Sequence, residues 1–119
     1  MKEYARNHLK AGGKRPLSEY YTAAYDHAIF RASLRANIIF SQHNLATDSS
    51  INEFHVIVCR NVLIYFTKPL QDRVHRLFYE SLILLGCLGL GSNESIQFTP
   101  HEEAYEAVDP RAKIYRRSR

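Results

Sequence analysis

Cysteine, glycine and long apolar runs are scarce in this sequence, and each scarcity closes off a class of protein. The 119 residues hold two cysteines, Cys59 and Cys87, each inside an apolar stretch where a thiol packs as a small hydrophobe instead of building a disulfide framework. That usage fits a reducing cytoplasm. The longest nearly apolar run, Leu82 to Leu90, is about half of what a membrane span needs, and Met1 to Lys14 lacks the apolar core of a signal peptide. Neither secretion nor membrane insertion is expected. The six histidines show no ligand-like spacing, so no metal site is expected. The five glycines form no Gly-x-Gly-x-x-Gly, the loop that cradles a nucleotide between a strand and a helix. Internal repeats and low-complexity segments are absent too.

What is present is material for a core. Residues are 45% hydrophobic and 12% aromatic, with eight Tyr and six Phe. That is too apolar for a disordered segment and enough for one ordinary domain, or part of one. The net charge is +4, and the basic residues are dispersed except at the two ends, Lys10–Arg15 and Lys113–Arg119. Terminal basic runs of this kind are usually solvated, so no nucleic-acid partner is expected.

Along the chain, Tyr4, His8 and Leu9 stand at helical spacing, and Gly12-Gly13 stops that helix before Lys14-Arg15-Pro16. Residues 1–17 read as a helix and linker. From Ser18 the chain is rich in Tyr and β-branched residues, and Tyr20–Tyr25, His27–Arg31 and Asn37–Ser41 read as short strands or irregular extended segments. Phe54 to Cys59 is apolar at nearly every position and is followed, after Arg60-Asn61, by a second apolar run, Val62 to Phe66. A strand covered on both faces, in a parallel sheet between helices, has this pattern. Thr67 as N-cap and Pro69 in the first turn then open a helix. Its stripe is Leu70, Val74, Leu77, Phe78, Leu82 and Leu85, and Gly86 is placed to end it. Cys87–Leu90 reads as the next strand, so 54–91 form a strand, helix, strand unit with an expected right-handed crossover. Beyond the loop Ser92–Ser95, Tyr105–Val108 and Lys113–Arg116 flank Asp109-Pro110-Arg111-Ala112, which is turn chemistry between antiparallel strands.

In open α/β sheets ligands bind beyond the carboxyl ends of the strands, which singles out Cys59-Arg60-Asn61 and Gly91-Ser92-Asn93-Glu94. Asn61 offers an amide donor and acceptor, Arg60 a permanent cation, and strand-end carbonyls accept from an ammonium group. Together they suit a zwitterionic ligand; they equally suit the plain role of capping a strand end. Tyr65, in an apolar run, reads either as a site residue or as a core tyrosine with its hydroxyl at the edge.

The octet Cys59-Arg60-Asn61-Val62-Leu63-Ile64-Tyr65-Phe66 resembles the signature of the CheR family, chemotaxis methyltransferases that move a methyl group from S-adenosylmethionine to receptor glutamates. His43-Asn44-Leu45 resembles the family's HNL element, and Leu88 to Ser95 is similar to its LFLGHSES stretch, with Ser92 in place of the His. The resemblance implies an α/β, Rossmann-like class I methyltransferase fold, with 43–119 its carboxyl-terminal half ending in a β-hairpin and 18–42 a small antiparallel β-subdomain. It implies S-adenosylmethionine as cofactor, with Asn44 and Leu45 at the adenine end, Arg60 and Asn61 along the ribose and methionine part, and Tyr65 as the catalytic residue facing the transferred methyl. A chemoreceptor is the implied acceptor and partner. The aromatic cluster Tyr20, Tyr21, Tyr25 and Phe30 is either a docking edge for a receptor tail or the subdomain's own small core.

The family's glycine-rich loop, its acidic ribose ligand and the helical domain before them have no counterpart in these residues. The expectation is therefore a carboxyl-terminal fragment, inactive by itself, whose strand 54–59 exposes an apolar edge that pairs with a second copy. The alternative, from a different class, is a non-catalytic interaction module that keeps the methyltransferase shape.

Overall fold

The computed structural model describes residues 1–24, 26–50 and 53–119. They form two compact units, Met1–Gln42 and His43–Arg119.

In the first unit, helix α1 (Lys2–Lys10) ends where the glycines predict. Gly12 takes a left-handed φ of +92°, which lets the N–H groups of Gly12 and Gly13 fold back onto the carbonyls of Leu9 and His8. His8 Nε2 reaches the Arg15 carbonyl at 2.7 Å, and its ring meets the edge of Tyr20 at 5.9 Å. A 3-10 turn, Leu17–Tyr20, leads into the antiparallel hairpin of β1 (Tyr21–Ala24) and β2 (His27–Phe30), paired from Tyr21 opposite Phe30 to Ala24 opposite His27. The strand expected over Tyr20–Tyr25 is thus shorter: Tyr20 belongs to the turn, and Tyr25 lies outside the described residues. Of the two readings of Asn37–Ser41, strand or irregular segment, the strand does not form. A four-residue helix, α2 (Ala32–Arg35), precedes it, and Ile38, Ile39 and Phe40 are exposed. β-Branched and aromatic residues favour a strand through packing on neighbours, and here they have none to pack on. None of the described residues of this unit is buried.

The second unit is built on a four-stranded sheet and one helix. Strands β3 (Phe54–Cys59), β4 (Leu82–Leu90), β5 (Tyr105–Asp109) and β6 (Ile114–Arg117) lie in the order β3-β4-β6-β5. β3 and β4 are parallel, joined through helix α3 (Lys68–Ser81), and the remaining pairs are antiparallel. Pro69 stands in the first turn of α3, where its missing N–H costs nothing. Thr67 occupies the N-cap position with extended backbone, but its hydroxyl makes no capping bond.

The helix stops at Ser81 rather than running on to Leu85. Leu82 already belongs to β4, opposite Phe54, and the next pair is Val56 with Cys87. The four residues Ile83–Gly86 are taken up in a bulge, with Leu85 at a left-handed φ of +68°. Gly86, expected to end the helix, sits in that bulge, where a Cβ would meet Leu82 Cδ1 at 2.8 Å and the Ile83 carbonyl at 2.9 Å. A leucine run satisfies period two and period 3.6 alike, so spacing alone cannot locate this boundary.

The core joins Val74 and Phe78 of α3 to Leu82, Leu88 and Leu90 of β4, with Cys59, Leu63, Ile96, Tyr105 and Tyr115 around them. Leu82, Leu88, Leu90 and Val74 are fully buried, each worth about 1.5–3 kcal/mol relative to exposure. β3, expected to be covered on both faces, is not: Val56 and Val58, which share one face of the strand, are 61% and 68% exposed, and among the described residues no strand pairs with its outer edge. Cys59 and Cys87 are free thiols on adjacent strands. Cys87 stands opposite Val56, and Cys59 opposite Leu90. No helix of the described residues is long and apolar enough to cross a membrane.

Candidate functional site

The carboxyl ends of the parallel pair, β3 and β4, lie side by side, with Cys59 opposite Leu90. From Cys59 the chain leaves through Arg60 and Asn61 and enters a 3-10 turn, Leu63–Tyr65. The apolar run Val62 to Phe66 is therefore a turn anchored by the buried Leu63, not more strand. Asn61 has a φ of +62°, a left-handed geometry that asparagine tolerates better than other residues with a side chain. The turn is held on its carbonyl side by Gln71, whose Nε2 donates to the Leu63 and Phe66 carbonyls at 2.8 and 3.2 Å.

On its N–H side the turn is held by Glu94. Oε1 accepts from the backbone of Gly91 at 2.7 Å and of Asn61 at 2.9 Å, and Oε2 accepts from the backbone of Leu63 at 2.8 Å. The N–H of Glu94 in turn donates to the Gly91 carbonyl at 3.0 Å. The side chain is 6% exposed. Burial pushes its pKa up, but the N–H groups of Asn61, Gly91, Leu63 and Ile64 outweigh that and hold the carboxyl below its ordinary value. The same burial, with the Glu94 charge added, raises the Cys59 thiol pKa. Gly91 is compulsory here: a Cβ would collide with Asn61 Oδ1 and lie 2.7 Å from Glu94 Oε1.

Sequence reasoning singled out Glu94 within the strand-end run Gly91–Glu94 but gave it no role of its own. The available signal was Gly91-x-x-Glu94, the spacing of a capping box, in which the fourth residue's carboxylate reaches back to the first residue's N–H. Both its oxygens are engaged by backbone N–H groups.

Asn44 and Leu45 lie on a tight turn. Asn44 Oδ1 accepts from Ala46 N–H at 2.9 Å, and its own N–H donates to Asp48 Oδ2 at 2.8 Å. His43 Nδ1 is 3.3 Å from the same carboxylate oxygen. The Asn44 N–H, with His43, keeps the Asp48 carboxyl below its ordinary pKa. Because the Asn44 oxygen is already used, its amide donors are what it offers a ligand. Leu45 is half-buried and shares an apolar pocket of about 240 Å³ with His43, Ile57, Val58, Cys59 and Phe78. That is below the size of pockets that enclose a whole drug-sized ligand, and it suits one flat ring.

Tyr65 is 81% exposed, so it is not a core tyrosine. Arg60 is exposed and makes no ion pair among the described residues. Arg60, Asn61 and Tyr65 follow one another out of β3, and Leu45 shares the apolar pocket with Val58 and Cys59 at the end of that strand. By residue type they offer an apolar wall, a cation and amide groups, beside a strand end that Gly91 keeps clear of side chain.

A family model described as CheR methyltransferase, SAM binding domain, matches residues 1–113. Among curated relatives, the chain is 50% identical over 118 residues to a Pseudomonas putida protein whose name describes it as a methyltransferase, Cher3, covering 99% of this chain and 43% of that protein. It is 45% identical over 62 residues to a chemotaxis protein methyltransferase of Listeria monocytogenes, covering 52% of this chain and 24% of that one. A chemotaxis protein methyltransferase of Klebsiella aerogenes is 40% identical over 67 residues, covering 55% and 23%. The chain spans less than half the length of these relatives.

Proposed function

This chain belongs to the CheR methyltransferase family, defined by its S-adenosylmethionine-binding domain, and from that premise we propose that its β3 and β4 strand ends form part of a site for methyl transfer to chemoreceptor glutamates. S-adenosylmethionine, the methyl donor of the family, supplies a methyl group already activated on a sulfonium. The residues here position it. Asn44 donates from its amide to the adenine edge, and Leu45 packs against the ring. Arg60 and Asn61 run along the ribose and methionine part, with the guanidinium countering the methionine carboxylate. Tyr65 orients the acceptor. A glutamate is ionised at neutral pH and needs no strong base, so alignment supplies most of the rate.

The observation that carries this reading is the exposure of Tyr65 on a turn whose neighbouring peptide groups are fixed from both sides by Gln71 and Glu94. The same reading includes a cytoplasmic setting and a receptor partner. It also holds that the 119-residue chain alone is inactive, since no glycine-rich nucleotide loop occurs in it. A second reading, a non-catalytic module that keeps the methyltransferase shape for interaction with a receptor or another signalling domain, is favoured by the bare Val56 and Val58.

Calorimetric titration with S-adenosylhomocysteine tests the first. Saturable binding that Asn61→Ala weakens supports the methyltransferase site. A silent titration means that the glycine-rich half is indispensable to the site and leaves the inactive fragment or the module.

A further inference from the structure

We propose that Glu94 is the positioning residue of the strand-end site, its single carboxylate locking the exit of β3 to the exit of β4 so that Asn61 is presented at a fixed angle. This rests on the strand ends being the cofactor site, as proposed above. Three bonds to three separate peptide groups converge on the two oxygens: Gly91 and Asn61 on Oε1, Leu63 on Oε2. Two of these partners are 33 and 31 residues away along the chain, so the carboxylate is a tertiary clamp and not a local cap.

The clamp acts at a point that has alternatives. Asn61 sits at φ +62°, a region that strains most residues with a side chain by about 1–2 kcal/mol and asparagine less, and the N–H that Glu94 holds is its own. Without an acceptor at that N–H, the Gln71 bonds to the Leu63 and Phe66 carbonyls do not reach Asn61, and its backbone can relax to an ordinary angle and swing its amide away. The close approach of the Asn61 side chain to Gly91, which excludes any Cβ there, requires the same alignment. Glu94 touches the site residue only through its backbone. It acts through Asn61 and is not a catalytic residue.

The two oxygens make different predictions for the two simplest variants. Glu94→Gln keeps an oxygen able to take Gly91 and Asn61 but turns an NH₂ group toward the Leu63 N–H, donor against donor. Glu94→Ala removes all three acceptors. Amide hydrogen exchange of the full chain reads the clamp, with Val74 and Leu88 as core reporters of folding, and S-adenosylhomocysteine affinity reads the site.

With core protection unchanged, the expected result in Glu94→Gln is faster exchange at Leu63 alone and an affinity within about threefold of the parent. In Glu94→Ala, exchange rises at Asn61, Leu63 and Gly91, and affinity falls about tenfold or more. If Glu94→Ala loses core protection, the glutamine variant decides, by whether its loss stays confined to Leu63. Unchanged exchange at all three amides overturns the clamp. Faster exchange with unchanged affinity overturns the positioning role and leaves Glu94 a structural tie. A parent chain that shows the clamp by exchange but binds no S-adenosylhomocysteine overturns instead the reading on which the proposal rests.

Discussion

Two segments border the candidate site and they are held in opposite ways. Residues 43–48 largely hold themselves: Asn44, Ala46 and Asp48 bond to one another within a few residues, with the Arg73 guanidinium reaching the Ala46 carbonyl from α3. Residues 60–66 are held by side chains from elsewhere, Glu94 on the N–H side and Gln71 on the carbonyl side. A self-contained turn can be altered without disturbing its surroundings. A segment wired to the core shares the stability of the core, and its geometry is set by residues remote in sequence.

The contrast predicts unequal costs. Glu94→Ala strands three backbone N–H groups in a place largely closed to water. At about 1–3 kcal/mol for each unsatisfied group, it should lower the unfolding free energy by about 3 kcal/mol or more, read from the urea midpoint. A loss no larger than that of Asp48→Ala would erase the distinction between the two segments.

Acid gives a nearly equal effect through a different group. Burial lowers the His75 pKa from 6.5 to about 4, and its Nδ1 has no hydrogen-bond partner among the described residues. The unfolded chain takes up the proton first as the pH falls. The contribution of neutral His75 is therefore complete above pH 6.5 and is lost on the way down to about pH 4, a change of about 3 kcal/mol. Glu94, with its pKa held below the ordinary 4.5, keeps its contribution above that value and loses it only as the pH drops through the lower folded pKa. The interval from pH 6.5 to 4.5 belongs to His75 together with His101, whose pKa burial also lowers, so urea midpoints in His75→Leu should fall less steeply across it than in the parent. A slope as steep as in the parent would mean that His75 takes no part in it.

Gly91→Ala sharpens the comparison at the strand end, where the new methyl must displace Asn61 or Glu94 at a cost of about 1–3 kcal/mol. Next comes Asn61. Because its φ is positive, Asn61→Ala should unfold more easily than Asn61→Gly by about 1 kcal/mol, and equal midpoints would mean that the backbone there is not left-handed in solution. The smallest effect is expected from Asp48→Ala, an exposed carboxylate whose loss should free the Asn44 turn locally while leaving the exchange of Leu63 and Gly91 untouched.

How much was legible follows the same division. α3 announced itself through Thr67, Pro69 and a stripe at Leu70, Val74, Leu77 and Phe78, because punctuation and period agree there. Its end did not, since Leu82 to Leu85 satisfy two periods and the bulge at Leu85 depends on pairing with β3. Ile38 to Phe40 have strand propensity and no partner, which a single segment does not reveal. The sequence marks Arg60 and Asn61 as candidates by residue type and, through the family resemblance, Asn44, Leu45 and Tyr65. The local geometry was not legible: the left-handed Asn61 is tied to a carboxylate about thirty residues on, for which Gly91-x-x-Glu94 was the only local hint.

The most direct measurement is an amide-resolved NMR titration of this chain with S-adenosylhomocysteine. The account predicts that shifts concentrate at Leu45, Asn61, Leu63 and Gly91, saturate, and weaken together in Asn61→Ala. Saturation with shifts confined to Met1–Gln42, or none at those four amides at millimolar ligand, would contradict it.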